Sequence, residues 1–326
     1  MVNTTQATTP ARSRLPRLRH GPAVSPARRR ARRRETLMFY LFISPWLIAF
    51  IVFAAAPMIA SLLLSFSDWN SMEAPNFIGV ANYVKLLTDD PLFWQSLQNT
   101  LYYAAVTVPL TLLVSLYLAS LLCKPIRGAR FFRTAVYLPA VVPLVAAAMI
   151  FRWLLAPDTG PVNELIGLVG IKGPAWLIDA DWVKPSIVML AVWQVGVSVI
   201  FLTAAIQGVP PELQEAARLD GANSRQIFRR ITLPLITPVL LFVIVTGLIG
   251  AFRVFSQAYV LSQGTYGPDN ASLMMVPYIY TSAFRNYELG YASALAWLLF
   301  LIIIALNGVI IKSSRRWVFY ESDVNR

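Results

Sequence analysis

Reactive sites are built from nucleophiles, bases and metal ligands, and this chain of 326 residues holds one cysteine, Cys123, and one histidine, His20. That scarcity excludes a disulfide framework and a Cys/His zinc centre, and it removes most histidine-based acid–base catalysis. No G-x-x-x-x-G-K-[ST] run occurs, so the chain has no P-loop of its own for ATP. One stretch does carry a motif-like spacing. Residues 209–234 read Val-Pro-Pro-Glu-Leu-Gln-Glu-Ala-Ala-Arg-Leu-Asp-Gly-Ala-Asn-Ser-Arg-Gln-Ile-Phe-Arg-Arg-Ile-Thr-Leu-Pro. Pro211 suits the first position of a helix, and Glu212 and Glu215 complement the positive end of its dipole. Gly221 falls where a left-handed C-terminal cap calls for glycine. Asn223 or Ser224 can cap a second helix, on which Ile227, Phe228 and Ile231 share an apolar face. A helix of about nine residues is marginal alone in water. Leu213, Ala216 and Ala217 are too few to bury it, while the two alanines permit close backbone approach. The expected chemistry is therefore docking rather than bond-making, either into a groove of a partner or as an amphipathic interfacial helix.

Such a loop needs elements to hold it, and composition says which. Hydrophobic residues make up 57% of the chain and charged residues 13%, where soluble domains carry about 25% charged residues. Apolar side chains must then face lipid as well as the core. Six stretches are long enough to cross a bilayer: Leu37–Phe66, Leu101–Cys123, Thr134–Phe151, Ser186–Gly208, Leu235–Phe255 and Ala292–Ile311. The first is too long for a cleaved signal peptide and reads as a retained helix. The predicted fold is an all-α integral membrane protein of about six transmembrane helices.

Charge sets its orientation. Residues 1–36, 124–133, 209–234 and 312–326 hold 22 of the 28 Lys and Arg residues. The outer loops keep Lys85, Lys172, Lys184 and Arg285 against ten carboxylates, with Arg152 and Arg253 at outer span ends. The positive-inside rule places both termini in the cytoplasm. Residues 1–36 read as a disordered Arg-rich tail that sets orientation and touches anionic lipid, with no nucleic acid as partner because no aromatics are interleaved. The expected organisation is that tail, a first span and outer loop over 37–93, a main membrane domain over 94–312 containing loop 209–234, and a C-terminal tail over 313–326.

The loop resembles a known family. Glu215-Ala216-Ala217, three residues, Gly221, nine residues, then Ile231-Thr232-Leu233-Pro234 is similar to the EAA loop of binding-protein-dependent ABC importer permeases. Asn76-Phe77-Ile78-Gly79-Val80-Ala81-Asn82-Tyr83 resembles the N-F-x-G-x-x-N-Y segment of their carbohydrate-uptake branch, and Asn99-Thr100-Leu101 its N-T-L. Leu138-Pro139, Pro143, Tyr278-Ile279-Tyr280, Ala283-Phe284 and Gly290-Tyr291-Ala292-Ser293-Ala294 extend the likeness over roughly residues 40–312, nearest the maltose, lactose and glycerol-3-phosphate permeases. One departure lies in an outer loop: Ser262-Gln263-Gly264-Thr265-Tyr266-Gly267-Pro268 is longer than the family's T-x-G-G-P.

The resemblance implies the type I importer transmembrane fold and a transport subunit, not an enzyme. A solute-binding protein outside would deliver a sugar or glycerol-3-phosphate-like solute, and two copies of a separate ATPase subunit would use ATP and Mg. This chain would bind no cofactor itself. A second permease subunit would complete a heterodimer in a prokaryotic cell membrane. Residues Glu215, Ala216, Ala217, Asp220 and Gly221 would contact the ATPase, with Ile231 and Pro234 anchoring the loop to the fifth span.

Polar and aromatic groups in or beside spans are the candidates for the substrate pathway: Trp193 and Gln194 in the fourth, Arg253, Gln257 and Tyr259 at and beyond the end of the fifth. Pro109, Pro139 and Pro143 are expected to interrupt helices, and Gly247 and Gly250 to permit close packing or bending. Residues 272–284 read either as a short surface helix beside the binding protein or as a loop packed on the bundle. The rival function is an ion-coupled secondary transporter. It is disfavoured because no Asp or Glu lies within the six spans and the two halves show no repeat.

Overall fold

The computed structural model describes residues 26–124 and 127–319. It divides into two compact units, residues 1–58 and 59–326. The first holds α1 (Pro26–Phe50), a π turn (Ile51–Ala55) and the start of α2 (Ala56–Leu64). Helix begins at Pro26, so residues 26–36 are not the disordered tail expected from composition, and residues 1–25 lie outside the described residues. Arg and Ala are strong helix formers, and an adjoining apolar helix supplies the nucleus that an isolated basic run lacks. The stretch Arg33–Leu64 has the length and hydropathy of a membrane span. None of its side chains is buried within the chain; Phe42 and Phe53 are 80% and 81% exposed.

The second unit opens with a small hairpin, β1 (Ser67–Asp68) against β2 (Asn76–Phe77), antiparallel with Ser67 opposite Phe77. Next come α3 (Ala81–Thr88) and α4 (Pro91–Leu122), then α5 (Ala129–Val141) and α6 (Leu144–Leu154). After α7 (Pro161–Gly167) come α8 (Ala180–Trp193) and α9 (Gly196–Gln207). The basic loop contains α10 (Pro211–Leu219) and α11 (Ser224–Ile227), a π turn (Phe228–Thr232) and α12 (Leu233–Leu235). The chain finishes with α13 (Thr237–Phe252), α14 (Ser256–Leu261), α15 (Met275–Tyr280), a π turn (Thr281–Arg285) and α16 (Leu289–Ser314). Because α4 starts at Pro91 and α16 ends at Ser314, the boundaries expected at 93/94 and 312/313 both cut intact helices.

Besides Arg33–Leu64, only α4 and α16 are single helices of spanning length among the described residues. The other three spans are bent pairs: α5 with α6 by 102°, α8 with α9 by 44°, and Ser224–Leu235 with α13 by 66°. Each bend has a local cause. Val142 is extended (φ −69°, ψ 126°) because Pro143 follows it. Gln194 sits in the bridge region (φ −91°, ψ 17°), and beyond it Gly196 lets α9 meet α5. A Cβ on Gly196 would stand 2.8 Å from the Val136 carbonyl oxygen and 2.9 Å from Ala140 Cβ. At Ile236 (φ −90°, ψ 0°) the cause is Pro238, which has no N–H to give Pro234.

Two of the three prolines expected to interrupt helices do not: α4 runs unbroken through Pro109 and α5 through Pro139. Proline inside a span is tolerated where neighbouring helices support the freed backbone, and α8, α9 and α13 pack along α4. Helix α13 runs unbroken through Gly247 and Gly250, and of packing and bending Gly247 serves packing, its Cβ position lying 3.8 Å from Val108 Cγ1. Pro234 lies in α12, ahead of the bend at Ile236. Leu233 N–H bonds back five residues to the Phe228 carbonyl, a π turn widened just ahead of the proline ring. The same device precedes Pro57, where Ala56 N–H reaches Ile51.

Helix α4 threads two apolar cores. The outer one gathers Phe93, Tyr103, Ile187, Phe252, Met275 and Leu295; the inner one gathers Ala119, Leu122, Val199, Leu202, Ile236 and Leu240. Residues 273–279 pack into the outer core, with Met274 and Met275 fully buried. The segment combines the two readings given above: it is a short helix, α15, as in the first, but it packs on the bundle, as in the second.

Candidate functional site

On the basic side, α10 projects from the bundle with no buried residue. Glu212, Glu215, Ala216 and Leu219 form an outward stripe at helical spacing, and Leu219 is 90% exposed. Glu215 has no side-chain hydrogen bond or ion pair among the described residues. Gly221 takes the left-handed conformation (φ +82°) and closes a Schellman cap. Ala222 N–H donates to the Ala217 carbonyl at 2.9 Å and Gly221 N–H to Arg218 at 3.0 Å. Asp220 is the C-cap residue. One residue beyond Ala222, Asn223 and Gln226 form a reciprocal capping box that starts α11. Ile227 is buried, and Phe228 and Ile231 are half-buried, as one apolar face requires. Two clefts flank the cap, one involving Gln214 and Arg218, the other Ala217, Asp220, Gly221 and Ile231.

The root of this loop is tied down at the bend. Thr237 Oγ1 donates to the Pro234 carbonyl at 2.6 Å, replacing the N–H that Pro238 lacks. The same oxygen accepts from Phe319 N–H at 2.9 Å. Phe319 lines an apolar cleft with Val209, Pro210, Ile236 and Pro238. The segment after the last span thus rests against both ends of the loop.

The outer side is knitted by the residues of the sequence motifs. Asn82 Nδ2 donates to the Ser65 and Ser67 carbonyls, both at 3.0 Å, clamping the hairpin. Asn99 Nδ2 holds the Asn270 and Leu273 carbonyls at 3.1 and 3.0 Å, and Thr100 Oγ1 accepts from Met275 N–H at 2.9 Å. At Gly290 an added Cβ would lie 2.0 Å from the Ser67 carbonyl oxygen, so only glycine fits. Asp90 joins these parts. One carboxylate oxygen caps α4 by accepting from Leu92 and Phe93 N–H at 2.9 and 3.1 Å. The other accepts from the Tyr278 and Tyr291 hydroxyls. Burial pushes the Tyr278 phenol above its usual range and the Asp90 carboxylate adds to this, so Tyr278 stays a donor. The role of Asp90 was missed from sequence, although Asp-Pro ahead of a long apolar run is an N-cap signal.

The pathway candidates lie on elements that touch, since α14 packs against α6 and α8. Gln194 Nε2 donates to the Val142 carbonyl at 3.5 Å, so its amide bridges two span bends. Trp193 is 37% exposed and meets the Phe151 ring at 5.4 Å. Arg253 caps the end of α13 with its side chain exposed, and Gln257 is half-buried on α14. Tyr259 stacks on Phe255 at 5.3 Å, meets Tyr280 at 5.8 Å, and its hydroxyl accepts from Arg285 Nη2 at 3.2 Å. Sequence reasoning left Arg285 as an ordinary outer-loop cation.

The bundle of bent spans in the second unit, with its exposed basic-side helix, has known counterparts. Residues 111–318 match the family described as binding-protein-dependent transport system inner membrane component. The probable ABC transporter permease protein YesP of Bacillus subtilis is 38% identical over 295 residues, 90% of this chain and 95% of that protein. The chain belongs to this permease family. The lactose transport system permease protein of Rhizobium radiobacter is 36% identical over 273 residues, covering 82% of this chain and 91% of the relative. A bacterial alginate ABC transporter, solved with an alginate pentasaccharide-bound periplasmic protein, shares the fold at a TM-score of 0.74. Its identity is 24%, over 87% of this chain and 96% of that one. This permease is accordingly a membrane subunit of an ABC importer, a transport component rather than an enzyme. Ion coupling, the rival raised from sequence, is set aside by the same membership.

Proposed function

We propose that this chain forms half of the membrane pathway for a sugar, with glycerol-3-phosphate-like solutes as the next class, in a prokaryotic cell membrane. The names of its relatives support the carbohydrate class, including permeases for lactose and for arabinooligosaccharides. A second, different permease subunit completes the pathway as a heterodimer. Two copies of an ABC ATPase sit on the cytoplasmic side, and a solute-binding protein docks outside. ATP and Mg belong to the ATPases, and this chain binds no cofactor.

The observation that carries the reading is the unburied stripe of α10, held rigidly by the Gly221 cap and the Asn223 box. A helix of nine residues with no buried face is marginal in water by itself, and covering its stripe with a partner stabilises it. Glu215, Ala216, Ala217, Asp220 and Gly221 make the ATPase contact, and Ile231 and Pro234 fasten the loop to the fifth span. Motion of α10 then passes through the bend at Ile236 into α13. Trp193, Gln194, Arg253, Gln257 and Tyr259 line the substrate route.

The test is purification of the complex with wild-type chain, Glu215→Ala and Gly221→Asp. Wild type should retain the ATPase and show substrate-stimulated hydrolysis, and both variants should lose one or the other. Normal transport by both variants, with no ATPase retained by wild type, would overturn the proposal.

A further inference from the structure

Beyond the fifth span lies a loop of unusual backbone. Gln263 (φ 55°), Gly264 (φ 71°), Tyr266 (φ 62°) and Gly267 (φ 74°) all occupy the left-handed region. Glutamine and tyrosine enter it at a steric cost, and such strain persists where surrounding contacts fix it, commonly at ligand clamps. Here two guanidinium groups do the fixing. Arg285 Nη1 donates to the Gly264 carbonyl at 3.1 Å and Nη2 to the Tyr259 hydroxyl at 3.2 Å. With the Gln263 amide turned so that its oxygen faces Arg152, the orientation that pairs donor with acceptor, Arg152 donates to it through Nε and Nη2, the Nε contact being 3.0 Å. Both arginines are exposed. The sole ion pair among the described residues joins Lys85 and Glu288, so both arginines hold neutral oxygens and keep their full charge. Beside them the rings of Phe255, Tyr259 and Tyr280 pack within 6 Å of one another, and Phe284 extends the group to solvent at 63% exposure.

We propose that this cluster is a subsite for a saccharide bearing an anionic group, carboxylate or phosphate. The inference rests on the importer reading and narrows its substrate class. An aromatic face takes the C–H side of a sugar ring, and the unused N–H groups of Arg285 and Arg152 take the anion. A neutral sugar leaves two adjacent cations without a counter-charge, whereas an acidic one neutralises them. Arg285 and Arg152 are the specificity-determining residues, and the strained loop keeps their spacing.

The experiment uses the intact complex with its binding protein in proteoliposomes. ATPase stimulation is measured with three probes: digalacturonate, glycerol-3-phosphate and lactose. An anionic probe should stimulate at a concentration at least about tenfold below lactose, a ratio in the range expected of a charge-assisted pair. Arg285→Gln and Arg152→Gln should weaken the response to the anionic probe by a larger factor than the response to lactose, and Arg285→Lys should restore part of the preference. The two anionic probes tell carboxylate from phosphate. Stimulation by lactose alone overturns the proposal and leaves the importer reading intact. So does an equal loss for all three probes in the variants, which would assign the arginines to docking of the binding protein. No stimulation by any probe overturns both.

Discussion

Asp90 receives four donors on one carboxylate, two backbone N–H groups of its own helix and two phenols from α15 and α16. Replacing it with alanine removes an N-cap worth about 1 kcal/mol and strands two buried hydroxyls at about 1–3 kcal/mol each. Asp90→Ala is expected to lower the thermal midpoint in detergent sharply, and Tyr278→Phe by less, as followed by fluorescence-detected aggregation. At the basic loop the arithmetic is smaller and local. Gly221→Val forces a β-branched residue to φ +82°, at about 1–2 kcal/mol, whereas Gly221→Asn is nearly tolerated. ATPase retention should fall for valine and persist for asparagine, and equal losses would show that side-chain bulk, not backbone angle, matters there. Gly221 and Asn223 were legible in the sequence because their partners lie within five residues. The partners of Asp90 lie 188 and 201 positions away, beyond anything a local pattern encodes.

Spans were visible as elements for the same reason: length and apolarity are properties of one stretch of chain. Their bends were not, because a proline's effect depends on what stands around it. Pro143 forces its neighbour Val142 out of helix, Pro109 is absorbed, and Pro234 widens a turn without ending it. Gly196 shows the packing side of the problem, since its need for glycine comes from α5, some sixty positions earlier in the chain. Gly196→Leu is expected to push α9 away from the Val136 carbonyl and to cost about 1–3 kcal/mol through overpacking. Lower yield and an earlier thermal midpoint would follow, and an unchanged midpoint would mean that α5 and α9 separate freely. Thr237→Val strands the Pro234 carbonyl and releases Phe319, while Thr237→Ser keeps both bonds. Substrate-stimulated hydrolysis should fall relative to basal hydrolysis in the valine variant only.

At the scale of the whole molecule, two uncovered surfaces among the described residues contrast in character. The span Arg33–Leu64 shows apolar residues on every side, which lipid satisfies. The stripe on α10 is mixed in polarity and exposed, which suits the proposed ATPase contact. Leu219→Cys in a Cys123→Ser background should react readily with a polar maleimide on the isolated permease and severalfold more slowly once the ATPase is bound. Equal rates would place that helix outside the interface. The bend at Ile236 adds a consequence of dimension. Its proline lacks a donor and its hydroxyl already has two protein partners, so the joint behaves as a fixed elbow rather than a loose one. Helix α13, 16 residues long, reaches about 24 Å beyond that elbow at 1.5 Å per residue. Each degree of rotation imposed from the cytoplasmic side therefore sweeps the far end by about 0.4 Å. A tilt too slight to disturb the packing around Pro234 becomes, at the sugar's end of the lever, a displacement as wide as a hydrogen bond.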